Sequence, residues 1–208
     1  MSQAIDANIG GNSRVFFVRG DRTAIVDAGY PGDERKILKA LKVAGIPRDQ
    51  VSLLVATHAH IDHYGSLREL KAALNVPVMA GWPDASYMEK GENVPAGNLS
   101  EGASSAVAPG PGVPAVKADV IVTGDMSLLS YGINARVLTT PGHTSGSLSV
   151  LAADGDCVTG DFLAGLYTGE PELIRHSLRK LADGGARYFY PSHVSRLEAS
   201  AVFRQFLL

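Results

Sequence analysis

The 208-residue chain has a single cysteine, Cys157. It can therefore form no intrachain disulfide, and it cannot build a thiolate cluster for a structural zinc. It has no run approaching the roughly 18–20 apolar residues that a membrane-spanning helix needs. Its opening residues, MSQAIDANIGGNSR, lack a charged segment followed by a long apolar one, so no secretory pattern is visible. The expectation is a cytoplasmic protein that does not engage a membrane. An excess of charge of either sign is also missing, with 19 Lys and Arg against 21 Asp and Glu. A formal net charge of −2 gives no general attraction to nucleic acid or acidic lipid. The expected partner is a small-molecule substrate. There is no internal repeat, and no linker demands a second domain. With 45% hydrophobic and 19% charged residues, the composition is that of a globular chain, and residues 1–208 read as one domain.

What the chain does have is a concentration of histidine. In VSLLVATHAHIDHYGSLREL, Val51 to Leu70, the β-branched apolar run Val51 to Ala56 predicts a buried strand. His58, His60, Asp62 and His63 then fall within six residues, from Thr57 to Gly65 on a predicted loop. Leu67, Leu70 and Leu74 return at helical spacing, with Ser66 placed as the N-terminal cap. The polar cluster thus lies between the C-terminal end of a strand and the start of a helix, the edge at which open α/β sheets bind ligands. Imidazoles at i and i+2 can meet one metal ion. Asp62 and His63 can face a second one, since imidazole nitrogen and carboxylate oxygen both bind zinc at about 2.0–2.2 Å.

Upstream, Arg14 to Arg19 and Thr23 to Asp27 read as two strands joined at Gly20-Asp21. Asp27 closes an apolar run, where a carboxylate is costly unless paired. It is either a partner that holds a metal-binding histidine or an ordinary turn residue. Helices are predicted over Glu34 to Ala44, with Gly45 as the stop, and from about Ser66 to Leu74, with a strand over Val76 to Ala80. This alternation predicts a layered α/β protein. The stretch from about 81 to 118 is rich in Gly, Pro, Ser and Ala and reads as an irregular loop, a candidate lid with Trp82, Tyr87 and Met88 as its apolar contacts. Trp82 is a candidate substrate contact.

Further strands are predicted over Asp119 to Val122, Ser127 to Leu129, Ala135 to Thr140, Leu148 to Leu151, into Val158-Thr159-Gly160-Asp161, and over Arg187 to Tyr190. A helix over Glu172 to Ala182 carries Leu173, Ile174, Leu178 and Leu181 as its apolar stripe. His143, Asp161 and His193 fall at strand ends or in the loops beside them. His176 reads as a surface residue and Cys157 as a packing residue.

The motifs THAHIDH, PGHTSGS around His143, TGD at 159–161 and PSH at 191–193, with IVDAG around Asp27, together resemble the metallo-β-lactamase superfamily of hydrolases. The resemblance runs from about Val15 to Val194. It implies a four-layer αββα sandwich with a binuclear site at one edge between the sheets. By that pattern His58, His60 and His143 hold one metal, Asp62, His63 and His193 hold the other, and Asp161 bridges them. Asp62 also orients the nucleophile or passes its proton to the leaving group. Two zinc ions are the expected cofactors, with iron or manganese as alternatives. The implied activity is hydrolysis of a small ester, thioester or lactone by a metal-bridging hydroxide. The ligand set looks most like the glyoxalase II group, without that group's C-terminal helical region. Acyl-homoserine lactonases resemble it too, and many carry a tyrosine three residues beyond the bridging aspartate. Ala164 stands there, and Tyr167 is the nearest substitute, a second candidate substrate contact. Other activities on the same scaffold are β-lactam or phosphodiester hydrolysis and a mononuclear-iron sulfur dioxygenase.

Overall fold

The computed structural model describes residues 3–7, 9, 11, 13–95, 113–165 and 171–207. Its first half is built around a sheet whose strands lie in chain order. These are β1 (Gln3–Asp6), β2 (Phe16–Arg19), β3 (Thr23–Val26), β4 (Val51–Val55), β5 (Val78–Gly81) and β6 (Val120–Val122). β1, β2 and β3 pair antiparallel, whereas β3 to β6 run parallel. Parallel neighbours need crossovers. α1 (Glu34–Val43) supplies the first, α2 (Ile61–Tyr64) and α3 (Leu67–Leu74) the second, and α4 (Asp84–Lys90) lies in the third.

The second half repeats the plan with a mostly antiparallel sheet, again in chain order. It comprises β7 (Met126–Ser127), β8 (Ala135–Thr139), β9 (Leu148–Ala152) and β10 (Asp156–Gly160). α5 (Phe162–Gly165) and α6 (Pro171–Asp183) lead to β11 (Tyr188–Pro191), which pairs parallel with β10. β12 (Leu197–Glu198) and α7 (Ala199–Phe206) follow.

Side-chain alternation explains how these pieces stack. Phe16, Val18, Ala24, Val26, Leu53 and Val55 point one way and meet Val137, Leu148, Val150 and Val158 of the other sheet. The intervening Phe17, Ile25 and Leu54 point the other way, under Ile37 and Leu41 of α1 and Leu67 and Leu70 of α3. On the far side, Leu151, Cys157 and Phe189 lie under Leu178 and Leu181 of α6 and Val202 of α7. Both faces of each sheet are thus covered, and the strands read as continuous apolar runs for that reason. The result is an αββα sandwich.

The structure departs from the sequence reading in several places. The strand expected over Ser127 to Leu129 ends at Ser127, because Leu129–Tyr131 close a single tight turn. The 57–65 segment is not all loop, because Asp62 and His63 ride on the single turn α2. There the His63 and Tyr64 N–H groups donate to the His60 carbonyl. Ser66 stands before α3 but makes no cap hydrogen bond. Its hydroxyl donates to the Tyr30 carbonyl and accepts from the Asp33 N–H, tying α3 to the loop before α1. The 81–118 stretch contains α4, which buries Ala85 and Met88 at i and i+3 and ends at Gly91 with φ +72°; residues 96–112 lie outside the described residues. On α6, Leu173 is 41% exposed and does not belong to the stripe.

At one edge the two sheets are joined through their backbones. The Leu148 N–H of β9 donates to the Thr57 carbonyl beyond β4, at 2.8 Å. Gly160, at the end of β10, has φ +54°, and a Cβ there would lie 2.4 Å from Thr57 Oγ1. Only glycine allows both that conformation and that approach. Gly160→Ala is expected to lower the unfolding free energy by about 1–3 kcal/mol. Gly124→Ala, whose Cβ would meet nothing within 4 Å, should change it by less than about 0.5 kcal/mol. Urea unfolding of the two variants side by side tests this, and equal midpoints would contradict it.

Candidate metal centre

The C-terminal ends of β3, β4, β5, β10 and β11 all open on this edge. Asp27 follows β3, and its N–H donates to the Val55 carbonyl of β4, which places it beside Thr57. Gly160 pairs with Pro191 across β10 and β11, so Asp161 and His193 leave adjacent strands. His143 enters from the loop between β8 and β9.

The seven sequence-predicted ligands are brought together in two groups. His58, His60, His143 and Asp161 each offer a ligand atom, all within 4.8 Å of one another, and Asp62, His63 and His193 do the same. Asp161 Oδ2 lies 3.9 Å from His58 Nε2 and 3.7 Å from His143 Nε2. It also lies 3.5 Å from His63 Nε2 and 3.1 Å from His193 Nε2, so one oxygen stands between the groups. Asp62 Oδ2 is 3.4 Å from His63 Nε2 and 3.3 Å from His193 Nε2.

Behind these atoms the chain assigns each proton. His63 Nδ1 lies 2.8 Å from Asp27 Oδ2, an acceptor only, so the ring's proton is at Nδ1 and Nε2 faces inward. Thr57 Oγ1 donates to Asp27 Oδ2 at 3.0 Å, which leaves it to accept from His58 Nδ1, also at 3.0 Å. His60 Nε2 donates to the Val94 carbonyl at 2.9 Å, so its Nδ1 is the free nitrogen. The inward atoms then face each other: His58 Nε2 and His60 Nδ1 are 2.9 Å apart, and His143 Nε2 is 3.1 Å from His60 Nδ1. The His58 and His60 lone pairs, aimed at one another at that distance, repel unless a cation lies between them. His63 Nε2 and Asp161 Oδ1 are also buried without a hydrogen-bond partner, an expense that metal coordination removes. The donor set fits metal ions.

The electrostatics agree. Burial holds His58 well below the usual histidine range and lowers His60, and it brings His143 to about 4. All three are neutral near pH 7, the form that binds a metal. Burial also acts to lower His63, but the charges of Asp161 and Asp27 outweigh it and raise that pKa well above the ordinary value. The surroundings of His63 therefore favour positive charge. Burial would raise Asp161 and Asp62. For Asp161 the charge of His63, and for Asp62 the neighbouring His193 and His63 rings, outweigh burial and hold each carboxylate well below its usual range.

Three contributors were not legible from the sequence. Asp84, fully buried at the start of α4, accepts the Ala59 N–H and the Thr144 hydroxyl on Oδ2 and the Gly146 N–H on Oδ1, each at 2.9 Å. It ties the 58–63 segment to the His143 loop. Asn93 Oδ1 accepts the Ile61 N–H at 2.8 Å, and the Val94 N–H donates to the Ala59 carbonyl, so the segment after α4 straps the same motif. An aspartate after proline and an asparagine in a polar loop read as turn residues, and only the fold reveals their targets. Tyr30 is the third. Its carbonyl accepts the Ser66 hydroxyl and its N–H donates to Asp33, which fixes the loop after Asp27, and burial, then the negative charge of Asp62, raises the pKa of its phenol.

The other sequence candidates fall elsewhere. Trp82 lies one residue beyond β5 and is 58% exposed, its N–H donating to the Val122 carbonyl. Tyr167 lies outside the described residues. His176 is exposed on α6, and Cys157 is fully buried, with burial raising its thiol pKa.

A family model described as the metallo-beta-lactamase superfamily matches residues 9–193. YqgX of Bacillus subtilis (strain 168), named a probable metallo-hydrolase, is 32% identical over 160 residues, covering 76% of this chain and 69% of its own. A hydroxyacylglutathione hydrolase of Alkalilimnicola ehrlichii is 34% identical over 164 residues, covering 76% of this chain. The chain spans about half of that relative's length, 51%. Among solved structures, the BLEG-1 B3 metallo-beta-lactamase superposes with a TM-score of 0.71 at 19% identity, covering 99% of this chain and 98% of its own.

Two substitutions test the supports behind the ligands. Asp27→Asn keeps an oxygen for the Thr57 N–H but turns an amide N–H toward His63 Nδ1, which drives that ring's proton to Nε2. Metal affinity, measured by competition with a chromophoric chelator, should fall about 10–100-fold. Asp84→Ala strands two buried N–H groups and takes one of its two partners from the Thr144 hydroxyl, and should lower the unfolding free energy by about 2 kcal/mol. Wild-type stability of the Asp84 variant in urea would contradict the role given to it.

Proposed function

The chain belongs to the metallo-beta-lactamase superfamily, and from that membership we propose that it is a two-metal hydrolase of a small ester, thioester or lactone. The observation that carries this reading is the pair of ligand groups joined by Asp161 Oδ2. His58, His60 and His143 would hold one ion, Asp62, His63 and His193 the other, with Asp161 shared. Zinc suits imidazole and carboxylate donors, and iron and manganese are the alternatives. Two such cations, when bound, lower the pKa of a water toward neutrality and polarise a carbonyl oxygen.

The chain's own residues do the rest. In the reaction a water oxygen bonds to the carbonyl carbon, the bond from that carbon to the leaving oxygen or sulfur breaks, and a water proton ends on the leaving atom. Asp62 is the side chain placed to carry that proton. It is nearly buried, its Oδ2 faces the second group, and it stays ionised near neutrality. Asp27, Thr57 and the Val94 carbonyl keep three imidazoles in the tautomer that presents a lone pair inward. Asp84 holds the two ligand loops against each other. A one-metal oxidation would use the first group alone, and the convergence of Asp62, His63 and His193 favours two ions.

Elemental analysis of protein purified without added metal or chelator should give close to two metal ions per chain. Stripping them should abolish hydrolysis in a panel of thioesters, lactones, β-lactams and phosphodiesters, and zinc should restore it. Asp161→Ala should lower kcat/KM by more than about a hundredfold and reduce metal content. Full activity of that variant with two bound metals would overturn the assignment. A single tightly held iron would redirect the reading to dioxygenase chemistry.

A further inference from the structure

A cavity of about 520 Å³ runs from the metal centre to the C-terminal helix. This is within the range of small-molecule pockets, about 300–1,000 Å³. Asp161 and His193 form part of its wall, so anything bound there lies beside the shared oxygen and the second ligand group. The remainder of the wall is largely apolar. Leu163 comes from α5, Leu197 from β12 and Phe206 from α7. Leu197 keeps 39% of its surface exposed, an apolar side chain at the rim of the opening. Among the described residues, Glu198 is the only charged wall residue apart from the two at the metal centre, and no lysine or arginine lines the cavity.

This chemistry selects an occupant. A phosphodiester, or the carboxylates of a glutathionyl group, would find no lysine or arginine along the wall leading away from the metal centre and would face Glu198 there. A hydrocarbon arm would be removed from water along Leu163, Leu197 and Phe206. We infer that the cavity seats the apolar arm of a neutral ester or thioester, with the scissile carbonyl held at the Asp161 and His193 end. This rests on the hydrolase reading for the reaction, but the cavity's preference for a neutral apolar chain stands on its own walls.

Binding and turnover separate the two. Linear methyl ketones, from butanone to decan-2-one, carry the carbonyl and the chain but cannot be hydrolysed. Calorimetry on the metal-loaded protein should show affinity rising about fourfold per methylene until the cavity is filled. Leu197→Lys should weaken decan-2-one by more than tenfold, whereas Phe206→Ala, which lengthens the cavity, should move the best chain to a longer ketone. Thermal unfolding of both variants checks that they are folded. Turnover is then compared in two ester and thioester series, one lengthening the acyl side and the other the leaving side. The series whose kcat/KM rises with length identifies which arm enters. Ketone affinity that does not change with chain length overturns the proposed occupant, whatever is hydrolysed. Ketone binding that rises with length, with no ester or thioester turned over, sustains the cavity and overturns the hydrolase reading.

Discussion

Everything at the catalytic edge follows from one constraint: nitrogen and oxygen lone pairs buried face to face repel unless positive charge lies among them. Holding His58 Nε2 and His143 Nε2 each about 3 Å from His60 Nδ1 requires force from behind. The chain supplies it with hydrogen bonds to the far nitrogens of two of these rings. One partner is a threonine whose own hydroxyl proton is committed to Asp27, and another is a main-chain carbonyl. Asp27 sits at φ +65°, a conformation rare for a side-chain-bearing residue. That strain is held by the Thr57 N–H, the Thr57 hydroxyl and His63 Nδ1, all converging on one carboxylate. Such outer contacts matter to a metal site nearly as much as the ligands do.

The same constraint explains the glycines. Ligands from one sheet can reach those of the other only if the loops nearly touch. At Gly160 the space beside the backbone belongs to Thr57, and at Gly146 it belongs to Asp84, whose Oδ1 would lie 2.4 Å from an added Cβ. The glycines in TGD and GHTSGS are therefore consequences of close packing between the sheets as much as of turn geometry.

The candidate ligands could be picked out because they are chemically unusual residues at short, repeated spacings, and because strand ends can be found from apolar runs. The layered fold was legible from alternating strand and helix patterns. Asp84 was hidden because its meaning depends on Ala59, Thr144 and Gly146, which lie far from it in sequence. α4 was hidden for a related reason: a helix this short is set by packing of Ala85 and Met88 against the sheet more than by local preference. Leu173 shows the reverse error, an apolar residue included in a stripe whose angular width the fold makes narrower. The apolar cavity could not be read at all, since its wall joins α5, β12 and α7.

The ligand groups draw on both halves of the sandwich. His58 to His63 come from the first sheet, and His143, Asp161 and His193 come from the second. During synthesis, then, the centre cannot be complete until residue 193 has left the ribosome, although its first four donors emerged more than a hundred residues earlier. A nascent chain carries a histidine-rich fragment with weak hold on any metal. The donor set is complete only once β11 lies beside β10. On the two-metal reading, tight metal capture would report that this strand is in place, and a chain stalled short of it would lack His193.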